Sequence, residues 1–253
     1  MNITTFNVNS IRARLDRLLA WIDDRSPDVL CLQELKCTEA ELPRAELERR
    51  GYHVHISGQK SWNGVAILAR EPLTDVEIDL PWPGDVQARG ISARVGGVRI
   101  VNLYVVNGQD TQSDKYPYKL EWLRHLREWV APRAGEPMVV CGDFNIAPAD
   151  LDVYDPAGWK EQVLCSTPER QALQAVLDLG FTDAFRKLHP DRRQFTWWDY
   201  RSSGFEQNKG VRIDHHLVSA AAWTRVLDVT VDMDERGRPQ ASDHAPVTLH
   251  LRG

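Results

Sequence analysis

Short apolar runs recur along the whole chain, and run after run stops at a side chain that can do chemistry. Phe6 leads into Asn7-Val8-Asn9, Leu32 into Gln33-Glu34, and Leu103 into Tyr104-Val105-Val106-Asn107. Val139-Val140-Cys141 leads to Gly142-Asp143-Phe144-Asn145, and Val211-Arg212-Ile213 to Asp214-His215. Ser242-Asp243-His244 stands immediately before Ala245–Leu251. Turn residues between the runs predict strands over Asn2–Val8, Asp28–Gln33, Tyr52–Ser57, Gly64–Ala69, Val98–Val106, Met138–Cys141, Arg212–Val218 and Ala245–Leu251. Helical spacing intervenes. Ser10 is placed to cap a helix over Ile11–Asp24, whose Ile11, Leu15, Leu18, Leu19 and Ile22 share a face; Lys115–Val130 and Glu169–Leu179 show the same period. Mixed strands with interspersed helices, and too many direct strand-to-strand steps for a doubly wound order, predict an α/β fold of stacked sheets flanked by helices. No repeat or Ser/Gly-rich linker divides the 253 residues, so a single domain is expected.

If neighbouring strands share an edge, their terminal groups converge on one stiff floor, a suitable mount for catalysis. Taken singly, an Asn or Asp after a strand is more often a turn residue bonded to its own backbone. Taken together, Glu34, Asp143, Asp214, Asp243 and His244, with Asn7, Asn9, Asn107 and Asn145 as orienting groups, are harder to assign to turns. The set is rich in oxygen and lacks clustered Cys or His, which selects Mg²⁺ or Mn²⁺ over zinc. Adjacent His215 and His216 point to opposite faces of a strand and cannot both line one site. The phosphate-binding P-loop, the dinucleotide glycine fingerprint, H-E-x-x-H and G-x-S-x-G are all absent, so no nucleotide cofactor is expected.

Cys31, Cys37, Cys141 and Cys165 show no C-x-x-C spacing and read as reduced thiols packed as small hydrophobes. No apolar run approaches the roughly 18 residues of a membrane helix, and Met1–Phe6 has no signal-peptide character. A cytoplasmic protein without membrane contact is expected. With 36 acidic against 31 basic residues the formal charge is −5, which argues against nucleic acid as a partner. The charge is uneven, however. Arg186, Lys187, Arg192, Arg193, Arg201, Lys209 and Arg212 face only Asp191, Asp199, Glu206 and Asp214 between Arg186 and His216, and Trp197-Trp198 is interleaved with them. Phosphate contacts of this kind supply most nucleic-acid affinity, and flat rings accept an unstacked base or sugar.

At these residues the sequence resembles the exonuclease III-like abasic-site endonucleases of the endonuclease/exonuclease/phosphatase superfamily. The resemblance runs the whole chain: Phe6–Arg14, Pro27–Lys36, Gly58-Gln59-Lys60, Gly64–Ile67, Asn102–Gly108, Gly142–Pro148, Phe195–Arg201, Gly210–Asp214 and Ser242–Pro246. Gly142-Asp143-Phe144-Asn145 is shared by the wider superfamily, whereas the Trp197-to-Asp214 block is specific to its DNA-repair branch. The resemblance implies a DNase I-like four-layer α-β-β-α sandwich, two packed mixed sheets flanked by helices. It implies a Mg²⁺-dependent phosphodiesterase, with Mn²⁺ as substitute, acting on double-stranded DNA at abasic sites or 3′ ends, as a monomer. Glu34 would be the principal metal ligand, with Asn9 and Asp243 close to the ion. Asp143 would orient or deprotonate the attacking water, with Asn145 fixing its geometry. His244, held by Asp214, would contact the scissile phosphate. Asn7, Tyr104 and Asn107 would contact the phosphate or its attacker, and Trp197, Val211, Ile213, Arg201, Lys209 and Arg212 the DNA.

Some positions depart from the family pattern. Leu35 stands where Thr is common, Asn9 where some relatives have Asp, and Val106 where Pro is frequent. Val211 stands where many abasic-site-preferring members have Trp, and Leu164-Cys165-Ser166-Thr167 lies in a variable loop near the damaged nucleotide. The last two bear on the balance between abasic-site cleavage and 3′ trimming. Two alternatives remain at this point, an inactive nucleic-acid-binding regulator on the same fold and a related phosphoesterase acting on something other than DNA.

Overall fold

The computed structural model describes every residue except Pro83 and the side chain of Ser202. The architecture follows from the segment Val29–Gln33, which is buried at every position. Its Val29 and Cys31 enter one apolar layer, with Ile3, Ile67, Ile100, Val139 and Leu249. Its Leu30 and Leu32 enter another, with Phe6, Leu18, Trp21 and Ile22. A strand covered on both faces has no polar alternation and reads as a continuous apolar run.

One sheet runs in the order β11 (Val226–Val231), β12 (Val247–Leu251), β1 (Asn2–Asn7), β2 (Val29–Gln33), β4 (Val65–Ala69), β3 (His53–Ser57). The other runs β5 (Thr74–Ile78), β6 (Gly90–Val95), β7 (Val98–Tyr104), β8 (Met138–Asp143), β10 (Asp214–Ser219), β9 (Phe181–Asp183). β1 pairs parallel with β2 and β7 with β8, while the other pairings are antiparallel. Helices α1 (Leu15–Arg25) and α2 (Arg44–Glu48) cover the outer face of the first sheet. Helices α3 (Lys115–Val130) and α4 (Thr167–Leu177) cover that of the second. Short helices α5 (Ala184–Leu188), α6 (Ala220–Trp223) and α7 (Met233–Arg236) lie in the connections. The result is the expected four-layer sandwich. Among the described residues no helix is long and apolar enough to cross a membrane.

A polar bridge crosses between the sheets. Asn102 of β7 donates to the carbonyls of Leu32 and Ala66 at 2.9 and 2.8 Å and accepts from Gln33 Nε2 at 2.6 Å. A buried amide bonded this fully fixes one relative placement of the two sheets.

Three expectations need correction. Strands β5, β6, β9 and β11 were not foreseen: β5 and β11 are edge strands with half-exposed mixed composition, β9 has three residues, and β6 carries Gly90, Ser92 and Arg94. The first helix starts at Leu15 rather than Ile11. Asn9 and Ser10 both have positive φ, +44° and +87°, so the chain turns tightly there and Ser10 cannot open a helix. β10 begins at Asp214 rather than Arg212, because residues 210–213 pair only through isolated bridges to Val153 and Trp197.

Candidate active site

Strand ends assemble the floor. In the parallel pairs Asn7 stands beside Gln33 and Tyr104 beside Asp143, while antiparallel β10 brings Asp214 next to Asp143. β7 and β8 approach so closely at Gly142 (φ +140°) that a Cβ there would lie 1.9 Å from the Leu103 carbonyl oxygen. Only glycine fits, and Asp143 follows it immediately.

Asn7 is fully buried and its side-chain amide donates to Glu34 Oε1 and to Asp143 Oδ2, both at 2.9 Å. Asp143 Oδ1 accepts the Asn145 N–H at 2.9 Å. Asn145 in turn donates its amide to the Val105 carbonyl at 3.0 Å and accepts from Asn107 at 2.9 Å. His244 donates from Nδ1 to Asp214 at 2.9 Å, which leaves Nε2 facing Asp143 Oδ2 at 3.7 Å. Asp214 is itself fixed by its backbone N–H to Thr196 Oγ1 at 3.1 Å.

Burial would discharge His244, but the carboxylates of Asp214, Asp143 and Asp243 hold it up to about 10, so the ring is an imidazolium at neutral pH. Burial pushes Asp143 up to about 7, against the pull of His244. Burial, then the nearby Glu34 and Asp143 charges, push the Tyr104 phenol well above its ordinary range. For Glu34 burial is outweighed by Lys36, Asn7 and His244, which together hold the carboxyl below its usual value.

Oxygen and nitrogen atoms of Glu34, Asp143 and His244 lie within 4.8 Å of one another. A protonated His244 has no lone pair to give a metal, so the donors of this cluster are carboxylate oxygens, with amide oxygens nearby. That chemistry fits a hard divalent cation. Lys36 supports the fit: its ammonium lies 2.9 Å from Glu34 Oε2 and 2.6 Å from Asn9 Oδ1, a positive charge held between two expected ligands. Asp243 is not part of that cluster. Its carboxylate accepts from Asn9 Nδ2 at 3.1 Å and from Trp197 Nε1 at 3.0 Å.

Several expected substrate contacts are placed elsewhere. Arg212 is 1% exposed, and its guanidinium bonds Asp152 at 2.7 Å, both oxygens of Asp183 at 2.7 and 3.1 Å, and His215 Nδ1 at 3.0 Å. It holds the fold and cannot reach a phosphate. Arg186 also turns inward, to Asp152 at 2.5 Å. Val211 and Ile213 are buried in an apolar cluster with Val153, Leu164 and half-buried Trp197, so they shape the site from behind. Asn7, with both amide hydrogens committed, orients carboxylates rather than touching phosphate. Trp198 is fully buried while Trp197 faces the site, the alternation expected of neighbours in extended chain. Lys209 and Arg201 are exposed, Arg201 beside Asp199 at 3.0 Å, and so are Lys187 and Arg192. His215 and His216 are both buried and bond the carbonyls of Ile146 and Ile3, outside the site. Sequence reading missed Arg89, whose guanidinium lies 4.9 Å from the Tyr104 ring centre and donates to the Tyr104 carbonyl at 3.2 Å. Nothing in its local pattern signals this.

Comparison with known proteins agrees with the geometry. The chain is 36% identical to the exodeoxyribonuclease III of Haemophilus influenzae over 267 positions, covering 100% of both. A 3′-5′ exonuclease from Neisseria meningitidis, NExo, superposes with a TM-score of 0.98 at 46% identity over 100% of both chains, and NExo has also been solved as a 3′ phosphatase bound to product DNA hairpin. An AP endonuclease from Archaeoglobus fulgidus gives a TM-score of 0.95 at 37% identity over 99% of both chains. The family model described as endonuclease/exonuclease/phosphatase matches residues 4–244, an interval that contains every floor residue from Asn7 to His244, and the chain belongs to that family.

Proposed function

We propose that the chain is a Mg²⁺-dependent DNA-repair phosphodiesterase of the exodeoxyribonuclease III type. It cuts 5′ to abasic sites and removes nucleotides and blocking groups from 3′ ends of double-stranded DNA, as a monomer. The observation that carries this reading is the opposed pair at the floor, a buried imidazolium and a buried carboxyl near neutrality, 3.7 Å apart beside Glu34. A phosphodiester is already anionic and repels hydroxide, so hydrolysis needs a fixed positive charge on the phosphate and a base beside the water.

His244 supplies the first, held by Asp214. Asp143 supplies the second, since a carboxyl near 7 can take a proton at neutral pH. Tyr104, with its phenol pushed upward, stays protonated and serves as a hydrogen-bond donor, which favours Asp143 over Tyr104 as proton acceptor. Asn7 and Asn145 hold Asp143 from its two oxygens, and Asn107 supports Asn145. Glu34 and Asn9 would hold the cation, with Asp243 reaching it through Asn9 or water. When bound, Mg²⁺ neutralises phosphate charge and Mn²⁺ can replace it. Lys187, Arg192, Arg193, Arg201 and Lys209 are exposed cations of the stretch between Arg186 and His216 that could track the DNA backbone, with Trp197 against the sugar.

One observation tilts the balance towards 3′ ends. Leu164, Val211 and Ile213 are packed into the protein, each at most 4% exposed, so they back Trp197 rather than offering a stacking face to an extrahelical sugar. A side-by-side rate comparison on an internal abasic site and on a recessed or 3′-phosphorylated end, with Mg²⁺ and then EDTA, tests both points. Metal-dependent turnover that is faster at 3′ ends is expected; no metal-dependent cleavage of either substrate would sink the reading.

A further inference from the structure

Lys119 lies on α3 among Trp122, Leu123 and Leu126, with its side chain fully buried. Lysine is almost never buried unless its ammonium is matched. Here all three N–H groups are used. One goes to the Asn145 carbonyl at 2.6 Å, one to the Asn107 carbonyl at 3.1 Å, and one to the fully buried carboxylate of Glu169. Glu169 also accepts the backbone N–H groups of Leu164 and Ser166, each at 3.1 Å, and the Ser166 hydroxyl at 2.5 Å.

We propose that Lys119, paired with Glu169, is the positioning residue of the catalytic turn, holding Asn145 and through it Asp143 in working geometry. The inference rests on the reading of Asp143 as proton acceptor. Asn145 sits in left-handed conformation, φ +49°, with its N–H aimed at Asp143. In that orientation its carbonyl points down into the protein, where Lys119 supplies the donor. The next carbonyl, of Ile146, is held likewise by His215 Nε2 at 2.8 Å, so two consecutive peptide groups after the catalytic strand are fixed from beneath. Access for the Lys119 stem depends on Gly108 (φ +93°), where a Cβ would come within 3.3 Å of Lys119 Cδ. Through Glu169 the same ammonium reaches the segment carrying Leu164, which packs behind Trp197. One charge therefore ties three loops of the site together.

A buried ion pair is poor value as a source of stability, since an apolar replacement of both partners is often neutral. Positioning predicts something different: displacement of a catalytic group by about 1 Å costs on the order of 10²-fold in rate. The test compares wild type, Lys119→Met/Glu169→Gln, which leaves no orphaned charge, and Lys119→Arg, on a 3′-phosphorylated duplex with Mg²⁺. The double variant is expected to fold with intact circular dichroism and to lose about 10²-fold in kcat with KM changed less than about threefold, while Lys119→Arg recovers most of the rate. Amide exchange supplies a readout independent of turnover: the Asn145 N–H should exchange faster in the double variant while β8 stays protected. A folded double variant with wild-type kcat, or with unchanged Asn145 exchange, overturns the proposal. Absence of turnover by wild type would strike the proposed function instead, and the exchange measurement would still decide the positioning role.

Discussion

Arg212→Met separates two roles for a residue that sequence resemblance assigns to DNA and the structure assigns to the fold. Methionine keeps an unbranched stem and removes the guanidinium that bonds Asp152, both oxygens of Asp183, and His215. Asp152 is left with Arg186 and the Ala149 backbone N–H at 3.1 Å, and Asp183 with the Arg186 backbone N–H at 3.2 Å. Removing one partner of a buried ion pair costs about 3–5 kcal/mol. That is a large share of the roughly 5–15 kcal/mol that keeps a domain folded. At roughly 2–4 °C per kcal/mol for a chain of this size, Tm should fall by roughly 6–20 °C. Acid sharpens the contrast. Burial would raise the Asp183 carboxyl, yet Arg212 and His215 hold it down at about 2. A folded-state value below the ordinary 3.8 means that Asp183 contributes stability above about pH 4 and loses it as pH falls towards 2. Without Arg212 burial prevails, the carboxyl titrates higher, and acid unfolding begins at higher pH. Thermal melts between about pH 3 and 8 measure this. DNA affinity against the logarithm of salt concentration measures the other role, because each phosphate-bound cation contributes about 0.9 to the slope and a buried one contributes nothing. A Tm within about 2 °C of wild type, together with a slope shallower by about one, would refute the reasoning.

Asp143→Asn should lower kcat by about 10²–10⁴ with little change in DNA affinity, read by single-turnover cleavage and gel shift; retained turnover would move proton transfer to Tyr104. Glu34→Ala should raise the Mg²⁺ concentration needed for half-maximal activity, and an unchanged Mg²⁺ titration would contradict its place at the cation. Gly142→Ala would put a Cβ 1.9 Å from the Leu103 carbonyl oxygen, so β7 and β8 must separate. Urea unfolding should show a loss of at least about 3 kcal/mol, and near-wild-type stability would mean that the two strands can part freely there.

The floor was legible because strand ends are local: a polar residue after an apolar run can be read without knowing the partner strand. Helix α3 was legible to its ends for the same reason, its apolar spacing broken only at Lys119. Edge strands β5 and β11 were not, because half-exposed residues carry no clean alternation. Arg212 misled because a charged residue beside a tryptophan pair looks like a phosphate contact until Asp152 and Asp183, distant in sequence, are seen to enclose it. Lys119 left a signal that was passed over, a lone charge at helical spacing on an otherwise apolar face. Charge arithmetic also needed the fold. Of the basic residues between Arg186 and His216, Arg186 and Arg212 neutralise buried carboxylates, so the cations that can meet DNA are fewer than the sequence suggests.

The strand order sets when activity can begin. Asp243 and His244 lie in the segment just before β12, and β12 is no edge strand: it lies between β11 and β1, paired with both. Its partner β1 carries Asn7 at the other extreme of the chain, and Met1 and Leu251 exchange backbone bonds at 2.8 and 2.9 Å at the end of the sheet away from the site. The imidazolium thus reaches the floor only where β12 is paired beside β1. The topology makes the seating of one interior strand, between β11 and β1, a condition for completing the site.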